Sequence, residues 1–278
     1  MLHAAALLAL TISSQLQPLP DTLVPLDSDE GRKLLVESTA NRDFFALSSQ
    51  FVTQRSTSYC GVASAVMALN AMPIEAPEAK EWAPFRAYTQ DNVFNDQLKA
   101  VLPPEKVSRG GLTIDELATL LRQNHADAKA VYASDTTLDK FRAEAIQNLK
   151  TPGDYVLVDF FRGELKQDMG AHWSPIAAYN EATDRFLILD VARFRYPPYW
   201  AKAEDLFRAM NTQDQDSGKS RGYVVTGAAK DAPPRVTVPP VGGRMLKFAI
   251  GAATGVFLIG ALIGAVLMRI ALGRRLRA

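Results

Sequence analysis

Cysteine is nearly missing from this chain: Cys60 stands alone among 278 residues. One thiol excludes an internal disulfide and any Cys-x-x-Cys redox or zinc site, so the core must hold by packing. Histidine is almost as scarce, with only His3, His125 and His172, and no His, Cys, Asp and Glu cluster has metal-ligand spacing. A Gly-rich phosphate loop and an internal repeat are also absent. Acidic residues are missing from one region: residues 244–278 hold six of the 31 basic side chains and none of the 30 acidic ones. The remainder then carries 25 basic against 30 acidic side chains, a formal net of −5, which argues against nucleic acid as a partner.

What is present is enough apolar material, 47% of the residues, to build one domain of about 200 residues with its own core. Both ends depart from that composition. Met1 to Ile12 is apolar, too short to span a bilayer and the right length for the h-region of a secretory signal, although Lys and Arg are lacking before it. A signal peptide over residues 1–20 is expected, with cleavage between Ser13 and Pro20. Leu246 to Met268 is apolar except for Lys247 and long enough to cross about 30 Å of hydrocarbon, so a transmembrane helix is expected over residues 244–270.

Arg274, Arg275 and Arg277 lie in the basic tail, residues 271–278, which the positive-inside rule holds in the cytoplasm. The domain then faces the periplasm or another extracytoplasmic space. Gly251-x-x-x-Gly255 and Gly260-x-x-x-Gly264 are compatible with helix pairing and a homodimer. Residues 229–243, with Pro233-Pro234, Pro239-Pro240 and Gly242-Gly243, read as a linker. That leaves residues 21–228 as the domain.

Within the domain, Cys60 opens the pattern Val62, Val66, Leu69, spaced as one buried stripe of a helix. A thiol at a helix N-terminus faces free backbone N–H groups and the positive end of the dipole, which favours thiolate. Lone cysteines are more often small buried hydrophobes, so the partners decide. His172 begins the strand-like run His172-Trp173-Ser174-Pro175-Ile176-Ala177-Ala178-Tyr179. A turn-like Asn180-Glu181-Ala182-Thr183-Asp184 separates it from a second strand, Arg185-Phe186-Leu187-Ile188-Leu189-Asp190. Such a hairpin would bring Asp190 to His172, completing the order thiolate, imidazole, orienting carboxylate that cysteine acyl transfer requires. Thr113 and Glu116 have capping-box spacing before a helix. Leu138–Leu149 reads as another helix, and Tyr155–Phe161 as a buried strand.

Three stretches carry a family likeness: Gln54 to Asn70, Gly170-Ala171-His172-Trp173-Ser174-Pro175-Ile176, and Ile188-Leu189-Asp190-Val191-Ala192-Arg193-Phe194-Arg195-Tyr196-Pro197-Pro198-Tyr199-Trp200. Together with Met210-Asn211-Thr212 and Ser217 to Tyr223 they resemble the catalytic domain of phytochelatin synthases over roughly residues 40–228. The resemblance implies an α+β, papain-like, two-lobed fold. Cys60 would lie on a helical lobe, His172 and Asp190 on an antiparallel β lobe.

The resemblance also implies γ-glutamylcysteinyl transfer from glutathione, with Cys60 as nucleophile, His172 as acid and base, Asp190 orienting the ring and Gln54 donating to the oxyanion. Asp214 and Arg221 match the positions that grip the γ-glutamyl head group. No cofactor is implied; a Cd or Zn ion enters, if at all, as a glutathione thiolate complex. The plant and fungal enzymes carry a cysteine-rich second domain that this sequence replaces with the linker and apolar run. Two alternatives stay open: a cysteine peptidase for another peptide, and a non-catalytic thiol-binding module.

Overall fold

A computed structural model of the chain describes residues 16–235. Contacts divide the chain into units at residues 1–235 and 236–278. The expected transmembrane helix, the basic tail and most of the expected signal peptide lie outside the described residues. Among the described residues, no helix is long and apolar enough to cross a membrane.

The chain begins with a two-residue strand β1 (Val24–Pro25) and the helices α1 (Asp29–Glu37), α2 (Arg42–Ser48), α3 (Cys60–Ala71), α4 (Asp96–Val101), α5 (Pro104–Gly110) and α6 (Ile114–Arg122). Then follow β2 (Ala126–Tyr132), α7 (Leu138–Lys150), β3 (Tyr155–Phe161), β4 (Ala171–Asn180), β5 (Arg185–Ile188), β6 (Tyr199–Lys202), α8 (Ala203–Met210) and β7 (Gly222–Ala228). The seven strands form one sheet in the order β1-β6-β5-β4-β3-β7-β2, with every named pairing antiparallel. This is the expected α+β architecture, consistent with a papain-like fold.

The capping box at Thr113 and Glu116 is formed and starts α6. The expected helix at Leu138 and strand at Tyr155 are both present.

Helices cover both faces of the sheet. One core layer joins α3 and α6 to Tyr155, Leu157, Trp173, Ala177 and Val224. The other joins Phe141 and Ala145 of α7 and Leu206 of α8 to Val156, Val158, Phe160 and Phe186. Alternate residues of β3 serve opposite layers, so a strand in the sheet interior needs an unbroken apolar run rather than an alternating one.

The single buried stripe expected for α3 is corrected: every residue from Cys60 to Leu69 is buried. A helix enclosed by sheet and neighbouring helices must be apolar all round, and Ala63, Ala65 and Ala68 let those neighbours approach. The second hairpin strand is also shorter than expected, since β5 ends at Ile188 and Asp190 lies just beyond it.

The segments at the domain edges are tied down. Gln17 N donates to Arg195 O at 2.8 Å, within the stretch expected to be lost with a signal peptide. In the expected linker, Ala229 N donates to His125 O at 3.1 Å, and Pro233 O accepts from Glu75 N at 2.8 Å. Pro234 pairs with Ile74.

Candidate active site

Cys60 is the first residue of α3, whose N-terminus has no side-chain cap, so the first-turn amides stay available near the sulfur. The Trp173 backbone lies close enough to that sulfur to favour its ionised form, which sets the thiol beside the residue that follows His172. Gly61 makes this close approach feasible: a Cβ there would meet Leu112 at 3.0 Å and Trp173 at 3.2 Å.

His172 is held from one side. Its Nε2 lies 2.9 Å from Asp190 Oδ1 and 2.9 Å from Ser174 Oγ. A buried carboxylate requires the donor at Nε2, so Nδ1 keeps its lone pair as a base. Phe160 packs edge-on against the ring at 5.6 Å. Among the described residues no hydrogen bond joins the thiol to the imidazole; such bonds are commonly long before substrate binds.

Asp190 is fully buried and is itself anchored. Arg162, 2% exposed, pairs with it at 2.8–2.9 Å, and Arg162 also donates to Gln167 Oε1 at 2.7 Å. The guanidinium stacks on Tyr196, 5.1 Å from its ring centre, and Ala192 N donates to Asp190 Oδ1 at 2.9 Å. Although burial alone would raise the Asp190 carboxyl, His172 and Arg162 hold it well below the usual carboxylate range.

Burial is the largest influence on the ionisation of both Cys60 and His172. It pushes the Cys60 thiol up to about 11, against the neighbouring backbone of Trp173 and Gly61. It drives the His172 imidazole down to about 4, against Asp190. The thiolate expected from the helix dipole is thus opposed by burial, which penalises each charge and favours the neutral thiol and imidazole.

Alkylation of this lone thiol by iodoacetamide is accordingly expected to be slow at pH 7 and to rise about tenfold per pH unit toward pH 11. Fast alkylation with a plateau from pH 5 to 8 would instead indicate a thiolate–imidazolium pair.

A cavity of about 250 Å³ opens at His172, lined also by Gln54, Thr57, Arg162, Met169, Ala192, Phe194 and Arg195. Gln54 is buried, and its side-chain nitrogen donates to Ser56 O at 2.7 Å, leaving one N–H uncommitted. Beyond this lies a second group of charges. Arg221 is 6% exposed, its Nη1 donating to Thr212 Oγ1 at 3.1 Å and Gln213 O at 2.5 Å. Its Nε stands 3.8 Å from Asp159 Oδ1, and both atoms are buried without a hydrogen-bond partner. Burial raises the Asp159 carboxyl well above its usual range, and Arg221 only partly offsets this.

The phytochelatin synthase family model matches residues 14–223. The chain belongs to the phytochelatin synthase family. It is 35% identical over 209 residues to glutathione gamma-glutamylcysteinyltransferase 3 of Lotus japonicus, covering 74% of this chain and 42% of that protein. With glutathione gamma-glutamylcysteinyltransferase 1 of Arabidopsis thaliana it is 34% identical over 205 residues, covering 73% and 41%. With the Schizosaccharomyces pombe glutathione gamma-glutamylcysteinyltransferase it is 29% identical over 211 residues, covering 74% and 49%. The chain thus spans less than half the length of these curated relatives.

Against the residues expected from the family likeness, the fold joins His172 to Asp190 and sets Cys60 at the backbone of Trp173. Asp214 is less directly placed. Its carboxylate accepts from Asp216 N at 3.3 Å and Ser217 N at 3.1 Å, within its own turn, while Asp159 is the carboxylate facing Arg221. Arg162 and Asp159 were missed by sequence reasoning. The available signal was a charge inside or directly after an otherwise apolar buried strand, Tyr155 to Phe161, because such a charge persists only with a partner.

Proposed function

We propose that this chain is a cysteine acyltransferase that takes γ-glutamylcysteine from glutathione and passes it to a second glutathione or to water. The observation that carries the reading is the buried line Arg162–Asp190–His172, ending beside the backbone close to the Cys60 sulfur. Cys60 Sγ attacks the carbonyl carbon of the cysteine residue in glutathione, and His172 Nδ1 takes the thiol proton. The free N–H of Gln54 and the Cys60 amide donate to the oxyanion. The C–N bond then breaks, His172 returns the proton to the departing glycine amine, and the acyl group remains on sulfur as a thioester. An acceptor amine or water attacks that thioester, loses its proton to His172 and regenerates the thiol. Where a Cd or Zn ion takes part, it does so as substrate, held by glutathione thiolates.

The γ-glutamyl head group, an ammonium beside a carboxylate, suits Arg221 and Asp159, with Asp214 close enough to act on Asp159 electrostatically. The carboxylate would take the unpaired Arg221 Nε and the ammonium would ionise Asp159. Arg221→Lys keeps the charge but loses the planar fork. It is expected to raise KM for glutathione about tenfold with little change in kcat, read from initial rates of glycine release. An unchanged KM would remove Arg221 from the subsite.

The apolar run Leu246–Met268 and the arginines after it support a membrane-tethered protein with its domain outside the cytoplasm. The reaction is tested by incubating the full chain with glutathione, with and without Cd²⁺, and weighing the products. Oligomers of γ-glutamylcysteine indicate transfer, and free γ-glutamylcysteine with glycine indicates hydrolysis. The absence of both rejects the substrate.

A further inference from the structure

We infer that Ser174 is a positioning residue for His172: its hydroxyl oxygen is a second acceptor, beside Asp190, for the Nε2 proton, and it fixes the plane in which the imidazole works. This rests on the role of His172 proposed above.

The placement follows from strand geometry. Residues two apart on a strand share a face, so His172 and Ser174 of β4 point the same way, and Ser174 Oγ lies 2.9 Å from His172 Nε2. Ser174 is 0% exposed, so water does not compete for that contact. Leu189 N donates to Pro175 O at 3.0 Å, which holds the chain after β5 against β4, and Val191 N donates to Ser174 Oγ at 3.3 Å. One oxygen thus touches both the ring and the residue that follows Asp190.

Asp190 alone leaves room for such a partner. Its Oδ1 takes three donors, Arg162 Nη2, Ala192 N and His172 Nε2, each at 2.9 Å, while Oδ2 meets only the Arg162 charge, at 2.8 Å. An oxygen shared three ways gives each donor less than a full bond, and a single contact leaves the ring free to turn about it, since the outer torsion of histidine has broad wells. The Ser174 hydroxyl has two lone pairs, one for Val191 N–H and one for Nε2–H. The need is greatest once His172 has taken the thiol proton, because a buried imidazolium is costly without acceptors for its N–H groups. The contact therefore acts on the chemical step more than on the binding of glutathione. A hydroxyl also donates: where Asp190 no longer demands the proton at Nε2, Ser174 can turn its O–H to the bare nitrogen and support the idle tautomer.

The full chain is compared with Ser174→Ala by initial rates of glycine release from glutathione, with urea midpoints measured alongside. The variant is expected to lose about tenfold in kcat with KM within about twofold. In an Asp190→Asn background the same substitution should leave kcat within about twofold, because the bond it removes no longer serves the working tautomer. Ser174→Thr and Ser174→Val, alike in shape and different in the hydroxyl, control for packing, and kcat of the first should exceed that of the second about tenfold. A lower urea midpoint with kcat unchanged would give Ser174 a structural part only and overturn the inference. Equal kcat for the Thr and Val variants, or an equal fall in both Asp190 backgrounds, would overturn it too. Each of these leaves the acyl-transfer reading standing, whereas a parent chain that releases no glycine overturns both.

Discussion

Cys60→Ser is expected to lower glycine release from glutathione by about 10⁴-fold or more while leaving the fold intact. The hydroxyl is smaller than the thiol by a fraction of an ångström in radius, so the packing of α3 against Leu112 and Trp173 survives. Its pKa, however, puts proton removal beyond a buried imidazole whose own value is driven down to about 4. Loss of the nucleophile in a comparable hydrolase removes most of the rate enhancement, about 10⁶-fold. No second cysteine exists to take over. Glycine is counted by mass, with circular dichroism as the control for folding. Retention of more than about one per cent of the rate would mean that the sulfur does not form the acyl intermediate.

Asp190→Asn is the second large effect, and it separates stability from chemistry. The shape is kept but the charge is lost, leaving the Arg162 guanidinium buried without its counter-ion. Breaking a buried pair from one side costs about 3–5 kcal/mol, expected as a lower urea midpoint. The same change frees the His172 tautomer, because an amide can donate to Nε2 as readily as accept from it, and kcat should fall about 10³–10⁴-fold.

The double variant Arg162→Met with Asp190→Asn removes both charges, so much of the lost stability should return while kcat stays low. That split is the signature of Arg162 as a positioning residue acting through Asp190. A single Asp190→Asn variant with nearly wild-type midpoint and kcat would show that the carboxylate neither holds Arg162 nor orients the ring.

The parts of the fold readable along the chain are those set by local chemistry. Thr113 and Glu116 form their capping box because three residues separate a side-chain acceptor from the amide that needs it. The hairpin of β4 and β5 forms around Asn180 to Asp184, which brings Asp190 to His172. Local pattern misjudged α3, because the three-residue-scale spacing of Val62, Val66 and Leu69 describes one face, and only the elements packed around the helix say that the others are covered too.

Identity, order and chemical type of the proposed reacting set were written in the linear chain: a lone thiol before an apolar helix, a histidine opening a strand, and an acid at the end of its hairpin partner. Their ionisation was not, because a pKa depends on how much water three-dimensional packing excludes, and here that exclusion raises the Cys60 thiol against the neighbouring backbone of Trp173 and Gly61. Nor could spacing reveal that Arg162 supports Asp190 from 28 residues away, or that Asp159 faces Arg221 across neighbouring strands. Those partnerships exist only once strand register has set distant backbone side by side, and Coulombic attraction between buried charges acts on distance in space, without regard to separation along the chain.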